Sequence, residues 1–109
     1  MEKEFCTYEQ AIALKELGFD EPCFGYYDEG GNLYTEIVEV LKAPLYQQAF
    51  RWFREKYGLF GTVDKKDGIR FYKIEDENEK IIAVATSFKT YEEAELACLD
   101  KLIEICKNK

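Results

Sequence analysis

The side chains best suited to recognition are concentrated in one stretch, QQAFRWFREKYG at residues 47–58. Helical spacing there predicts an apolar face and an opposite polar face, with Trp52 on the flank between them. Arginine and tryptophan are enriched at binding hot spots, and both also stack on nucleic-acid bases. The candidate interaction surface comprises Trp52 and the cationic residues of this stretch, together with the two lysines of the later sequence KKDG. These residues are Arg51, Trp52, Arg54, Lys56, Lys65 and Lys66.

The distribution of charge fits either a binding surface or pairing within the molecule. The net charge is −7, yet residues 42–73 carry eight Lys or Arg and only three acids. The segments on both sides carry an excess of acids, so the basic middle can pair with its own ends. In that second interpretation Trp52 belongs to the core, and Arg51 and Arg54 pair with acids of the same domain.

The residue patterns of common catalytic and metal sites are missing from the sequence. There is no histidine, the commonest general base and metal ligand, and no C-x-x-C pair for zinc or redox chemistry. The Gly30-Gly31 pair predicts a turn rather than a phosphate-binding loop, and the acidic clusters lack the spacing of a calcium loop. The sequence therefore predicts a protein that is not an enzyme, with no catalytic residues, no metal site and no cofactor.

Composition and cysteine usage predict a cytoplasmic, folded protein. Aromatic residues make up 16% of the chain, no apolar run is long enough to span a membrane, and the start MEKEFCTYEQ does not resemble a signal peptide. The four cysteines are irregularly spaced. We interpret them as reduced thiols that pack mostly as small core residues.

A recurring signature, TYEQA at residues 7–11, LYQQA at 45–49 and TYEEA at 90–94, predicts three helix starts. Thr7 and Thr90 are each followed three residues later by Gln or Glu, which is the capping-box pattern. Pro44 marks the middle start. The predicted helices are Tyr8–Leu17, Pro44–Tyr57 and Tyr91–Cys106. In the last of these, four acids are predicted to fall largely outside the apolar stripe: Glu92, Glu95, Asp100 and Glu104.

Aromatic and β-branched runs between the helices predict strands. The stretch CFGYYDEGGNLYTEIVEV at residues 23–40 predicts a hairpin around EGGN. Three more strands are predicted at Phe60–Asp64, Ile69–Glu75 and Lys80–Phe88, and the apolar run IIAVATSF is expected at the centre of the sheet. Residues 1–109 are thus predicted to form a single α+β domain, of order α-β-β-α-β-β-β-α, with helices packed on one face of an antiparallel sheet.

From Pro44 onward, the predicted α-β-β-β-α order resembles double-stranded-RNA-binding domains. The resemblance implies phosphate contacts from the loop between the first two strands and from the start of the last helix. The loop KKDG supplies Lys65 and Lys66, but the last helix begins KTYEEAE, so Glu92 and Glu93 would repel phosphates. Nucleic-acid binding is therefore possible but disfavoured; it would use the basic residues Lys42, Arg51, Arg54, Lys56, Lys65 and Lys66.

Three longer stretches resemble short uncharacterised proteins of Bacteroides-type gut bacteria and of their phages and mobile elements. They are TYEQAIALKELGFDEPCFGYY, APLYQQAFRWFREKYGL and TYEEAELACLDKLIEI. The resemblance implies an intracellular accessory protein of mobile DNA and transfers no catalytic or ligand-binding residue.

The leading functional hypothesis is a non-enzymatic module that binds a protein partner. The alternatives are the nucleic-acid-binding module and a sponge that captures a small, nucleotide-like molecule in an aromatic pocket. No membrane association is expected. A homodimer is possible through the apolar residues of the predicted hairpin, Tyr26, Tyr27 and Leu33–Tyr34.

Overall fold

The computed structural model describes residues 4–35 and 41–108, and within them the helices and strands alternate in an α+β arrangement. The helices are α1 (Tyr8–Glu16), α2 (Tyr46–Tyr57) and α3 (Tyr91–Lys107). The strands are β1 (Gly25–Tyr27), β2 (Leu33–Tyr34), β3 (Leu41–Ala43), β4 (Phe60–Lys66), β5 (Ile69–Glu75) and β6 (Ile81–Phe88). The predicted single α+β domain is confirmed. Residues 36–40, the end of the predicted hairpin, lie outside the described residues.

The strands form two antiparallel sheets instead of the one predicted, and the first sheet contains an additional short strand, β3. Strands β2, β1 and β3 make the first sheet in that order, and β4, β5 and β6 make the second. Gly25 and Tyr27 of β1 pair with Ala43 and Leu41 of β3. A strand of three residues leaves no period in the sequence, so the prediction missed it.

The recurring signature starts three helices, as predicted, but only two of the starts are capped by a side chain. Thr7 Oγ1 accepts a hydrogen bond from the Gln10 backbone N–H at 3.1 Å, and Thr90 Oγ1 accepts one from the Glu93 N–H at 3.1 Å. At α2 the capping residue is Leu45, which has no capping side chain, and Pro44 lies one residue before it. The alanine of each copy is buried: Ala11, Ala49 and Ala94.

Helices α1 and α2 end at glycines in the left-handed conformation, as the sequence predicts. Gly18 has φ +101° and Gly58 has φ +66°. The chain reverses direction at Gly18, so the Phe19 N–H donates a hydrogen bond to the Leu14 carbonyl at 2.9 Å. This turn buries Phe19 and directs the following loop along α2.

Helix α3 packs on the inner face of the second sheet. Gly61 lies directly below it, because a Cβ at that position would come within 3.0 Å of Cys98 Sγ and 3.1 Å of Leu102 Cδ1. Across the sheet, Gly61 of β4 pairs with Ile74 of β5, and Ile74 pairs with Ala83 of β6. Small residues on the two outer strands therefore let the helix approach closely.

The run IIAVATSF was expected at the centre of the sheet, and that expectation is wrong. It forms β6, an edge strand that pairs only with β5 among the described strands. Its alanines face α3, while Ile81 and Val84 are 55% and 51% exposed. The pairing with β5 is irregular at two places, near Ile82 and near Ser87, and Ser87 has φ +73°.

None of the three helices in the described part of the chain has the length and hydropathy of a membrane-spanning segment.

A buried amide joins α1 to α3. Gln10 Oε1 accepts the Thr7 backbone N–H at 2.9 Å. Gln10 Nε2 donates to the Leu96 carbonyl at 3.0 Å and to Asp100 Oδ1 at 2.8 Å. The glutamine of the capping box of α1 thus also fixes the position of that helix on α3.

We expect Gln10→Ala to lower the free energy of unfolding by about 2–3 kcal/mol, because it leaves the Leu96 carbonyl and the Asp100 carboxylate without their donor and opens a small cavity. Urea denaturation followed by circular dichroism measures this change. Gln47→Ala, at an exposed position of α2, is the matched control and should change stability by less than about 0.5 kcal/mol. Equal stabilities of the two variants would show that the amide does not hold α1 in place.

Candidate functional site

Trp52 lies in the core, so it does not belong to the candidate interaction surface. Its side chain is 6% exposed. Its ring meets Phe19, Phe53 and Tyr57 edge-on, with centroids 5.4, 5.1 and 5.7 Å away. Phe19 reaches this position because of the turn that ends α1. Of the two interpretations of residues 47–58, packing in the core is therefore correct for Trp52.

Lys56 covers the same aromatic cluster. Its ammonium nitrogen lies 5.0 Å from the centre of the Trp52 ring and donates to the Leu17 carbonyl at 3.3 Å. A cation above an indole is attracted by the π-electrons, and one at a helix C-terminus is attracted by the helix dipole. Lys56 thus stabilises the junction of α1 and α2, and its side chain is already engaged there.

Arg51 and Arg54 remain on the surface of α2. Arg51 Nη2 is 3.8 Å from Glu21 Oε1, and Arg51 Nε is 3.5 Å from Glu55 Oε1. Both pairs are long and solvent-exposed, so they contribute little and a partner's carboxylate can replace them. Arg54 forms no salt bridge with any described residue. Of the three cations of α2 in the predicted surface, these two are thus held only by long, exposed pairs or by no salt bridge with a described residue.

A groove runs beside these arginines, and we call it the α2 groove. It has a volume of about 520 Å³ and lies between α2 and the loop that joins α1 to β1. Gln48 Nε2 donates to the Pro22 carbonyl at 2.7 Å and holds this loop against the helix. The α2 groove is lined by Pro22, Phe24, Leu45, Gln47, Gln48, Phe50, Arg51 and Arg54.

Phe24, which the sequence analysis did not single out, is the most exposed large apolar side chain of the described residues, at 75%. It projects at the edge of the α2 groove, next to the arginines. The signal that could have found it is its position two residues after Pro22, in the short loop before the β1 strand, where it belongs to no helical or strand period. Aromatic and arginine side chains at one groove are the residue types that contribute most to protein–protein binding.

Lys65 and Lys66 lie away from α2, at the far end of the β4–β5 hairpin. At about 3.3 Å per strand residue, Lys65 is roughly 16 Å along β4 from Phe60, which follows α2. Lys65 pairs across the hairpin with Arg70, and Arg70 Nη1 donates to the Lys89 carbonyl at 3.1 Å. The six predicted surface residues thus separate into the buried Trp52 with Lys56 over its ring, the groove pair Arg51 and Arg54, and the hairpin pair Lys65 and Lys66.

A second cavity adjoins the α2 groove and shares Leu45 and Gln47 with it. It contains Glu95, which was predicted to fall largely outside the apolar stripe of α3 but is buried at 8% exposure. Glu95 precedes Cys98 by three residues and Leu99 by four, and both of these are buried. The helical spacing therefore contains the signal that it lies on the covered side of α3.

Burial keeps the thiols in the protonated form at neutral pH. It raises the pKa of Cys6 to about 12, with Cys23 as a smaller cause, and it raises the pKa of Cys98 to about 12. The pKa of Cys23 rises to about 11, again mainly through burial. Since the thiolate is the nucleophilic form, these cysteines are poor nucleophiles. None of the four cysteines, all of which lie among the described residues, forms a disulfide bond.

The hairpin proposed for dimer contact is only partly on the surface. Tyr27 is buried, and its hydroxyl donates to the Cys6 carbonyl at 2.6 Å. Tyr27 pairs with Leu33, and Tyr26 pairs with Tyr34, which is exposed on the edge strand β2. Of the residues named for a dimer, Tyr27 therefore belongs to the core.

We expect Trp52→Ala to lower the free energy of unfolding by about 3–5 kcal/mol, because it removes a large ring from a packed cluster. Circular dichroism during urea denaturation measures the loss without relying on tryptophan fluorescence. The neighbouring surface substitution Arg54→Ala should change stability by less than about 0.5 kcal/mol. A Trp52→Ala protein as stable as Arg54→Ala would contradict the assignment of Trp52 to the core.

Comparison of the chain with family models, with curated proteins and with solved structures finds no match. The resemblances to double-stranded-RNA-binding domains and to proteins of Bacteroides-type mobile elements therefore stay predictions.

Proposed function

We propose that the protein is a non-enzymatic interaction module that uses the α2 groove to bind a protein partner. The occupant that fits is an extended or helical segment with an apolar side chain next to one or more carboxylates. The apolar group would pack on Phe24, and the carboxylates would pair with Arg51 and Arg54. The resemblance to mobile-element proteins suggests a partner from a bacterial host or its phage.

The observation that carries this proposal is the exposure of Phe24 beside two arginines. Burying a phenyl ring that is now in water contributes about 2 kcal/mol, which is a substantial part of a micromolar affinity. The same ring provides an anchor of fixed shape with few rotatable bonds, so little entropy is lost on binding. The arginines would fix the orientation of the bound segment, because a guanidinium binds a carboxylate with two parallel hydrogen bonds.

The charge of the groove contrasts with that of the rest of the molecule. The chain carries a net charge of −7, whereas the residues that line the α2 groove include Arg51 and Arg54 and no carboxylate. Glu21 and Glu55 lie beside Arg51 but outside this lining. Such a contrast orients an acidic partner toward the groove and away from the remaining surface. It also means that binding should weaken with rising salt, since exposed charges are screened.

The double variant Phe24→Ala/Arg54→Glu should abolish capture of the partner, because it removes the aromatic anchor and reverses one charge. The matched control is Phe60→Ala/Lys66→Glu, which makes the same chemical changes on the outer face of the second sheet. Affinity capture from Bacteroides-type host cells, quantified by mass spectrometry, identifies the partner. Calorimetry with the purified partner should then show at least about a tenfold weaker Kd for the groove variant.

Two results would count against the α2 groove. One is that no protein is enriched by the wild type over the groove variant. The other is that the groove variant and its control lose the same amount of affinity. Circular dichroism and melting of each variant show beforehand that both are folded.

A second candidate function, binding of double-stranded RNA or DNA, is supported by the cations of the β4–β5 hairpin. The strand register places Arg70 beside Lys65, and the Arg70 side chain contacts the backbone of Lys89. Four positive side chains, Lys65, Lys66, Arg70 and Lys89, thus lie at one end of the second sheet. Glu93 is close by, since its carboxylate accepts the Lys89 N–H at 3.4 Å, and it weakens the attraction for phosphates.

If these four cations contact phosphates, the logarithm of the affinity for duplex RNA should fall with the logarithm of the salt concentration with a slope of about −3 to −4. Filter binding or fluorescence anisotropy at several salt concentrations measures the slope. Lys65→Glu/Lys66→Glu should remove the binding, whereas Phe24→Ala/Arg54→Glu should leave it unchanged. Absence of any binding at low salt would reject this candidate.

A further inference from the structure

The cavity beside the α2 groove lies where the first turns of α2 and α3 meet the residues before α1. It has a volume of about 430 Å³. An isolated bridge between Phe5 and Leu45 fixes the N-terminal segment against the start of α2 and brings Glu4 to the rim. We call it the Glu95 cavity; it is lined by Glu4, Leu45, Tyr46, Gln47, Tyr91, Glu92 and Glu95.

Glu95 is a largely buried residue whose carboxylate has no partner among the described residues. The residue is 8% exposed and makes no hydrogen bond or salt bridge with any described residue. Gln10, the other buried polar residue of the described core, makes a full set of hydrogen bonds. No buried, fully enclosed side-chain oxygen or nitrogen of the described residues lacks a partner. The Glu95 oxygens are therefore open to the cavity rather than sealed in the protein.

The surroundings of Glu95 are electrostatically unfavourable for its negative charge. Burial raises the pKa of Glu95 to about 7, and the carboxylates of Glu92 on its own helix and of Glu4 across the cavity add to the effect. The other titratable groups close to it are the phenols of Tyr46 and Tyr91 and the thiol of Cys98; burial raises the pKa of each of them. Among the described residues, the titratable groups facing Glu95 are thus either negative or neutral, and a cation in the cavity would relieve the repulsion.

The walls of the cavity favour an organic cation. Tyr46 and Tyr91 occupy the same position in two copies of the recurring signature, the first residue of α2 and of α3. Aromatic rings attract cations and also pack against alkyl groups. A cavity of about 430 Å³ is much larger than a single ion, and no three acidic or cysteine side chains of the described chain converge closely enough to hold a metal. The carboxylates would repel phosphate-containing molecules.

We propose that the Glu95 cavity binds a primary alkylammonium group, the chemistry shared by free alkylamines and the side chain of lysine. The ammonium donates to Glu95, and the alkyl chain lies between Tyr46 and Tyr91. Glu92 and Glu4 add attraction from the rim. This site is independent of the partner proposed for the α2 groove.

The test is a titration of the full chain with n-butylammonium chloride at low ionic strength and about pH 8, where Glu95 is ionised. Proton–nitrogen correlation spectra should show saturable shifts confined to the cavity residues. The uncharged probe n-butanol should produce none. Glu95→Gln should weaken butylammonium binding by about tenfold or more, since the charge-assisted hydrogen bond is lost. The matched control, Glu104→Gln at an exposed position of α3, should bind as the wild type does.

Two further probes separate the sources of the ammonium. A glycine-flanked lysine peptide that binds more tightly than n-butylammonium assigns the cavity to a polypeptide lysine, and the same peptide with norleucine should not bind. Equal affinities assign it to free amines. Binding of magnesium chloride without binding of n-butylammonium would overturn the proposal, as would equal affinity of Glu95→Gln and the wild type.

The pH dependence of stability gives a readout that needs no ligand. Because the pKa of Glu95 is raised from 4.5 to about 7, the folded chain holds an extra proton in this window, and its stability falls as the pH rises through it. Glu95→Gln removes this loss. The variant should therefore melt at a higher temperature than the wild type at about pH 8 and at nearly the same temperature at about pH 4. A lower melting temperature of Glu95→Gln at the higher pH would show that Glu95 has a partner within the protein.

Discussion

The contact between α1 and α3, together with the packing of α2 on α3 and β4, places the two sheets relative to each other. Helix α1 packs on β3 of the first sheet, and α3 packs on the second. The Gln10 amide is the directional part of their interface, because its donors reach a backbone carbonyl and a carboxylate on α3. Apolar packing alone tolerates sliding of one helix along another, whereas buried hydrogen bonds hold a single register. The position of the segment before α1, and with it the Glu95 cavity, follows from this register.

Rules that act within a few residues predicted the helices well. Thr7 and Thr90 cap their helices, and Gly18 and Gly58 end theirs, because each side chain or backbone angle acts on its own turn. The sheets depend on pairing between distant residues, which local patterns do not contain. The short strand β3 and the position of β6 at the edge were therefore missed.

The candidate site was predicted less well, for reasons that particular residues make clear. A tryptophan on the flank of a helix is buried or exposed according to what packs against it, and for Trp52 that is Phe19 from the preceding loop. Lys65 is close to α2 in sequence but is carried away by the length of β4. Arg51 and Arg54 were identified correctly as surface residues, because the polar face of an amphipathic helix follows from spacing alone. Phe24 and Glu95 gain their importance only from the three-dimensional arrangement.

The irregular pairing of β6 has a consequence for how the molecule behaves at high concentration. An edge strand rich in isoleucine and valine presents free backbone groups that can recruit the same strand of another copy and begin a fibril. The bulges near Ile82 and Ser87 twist both ends of the strand, so only its short middle is straight enough to template such growth. The lysines at its two ends, Lys80 and Lys89, add charge repulsion between copies, and together these features act as gatekeepers against amyloid formation.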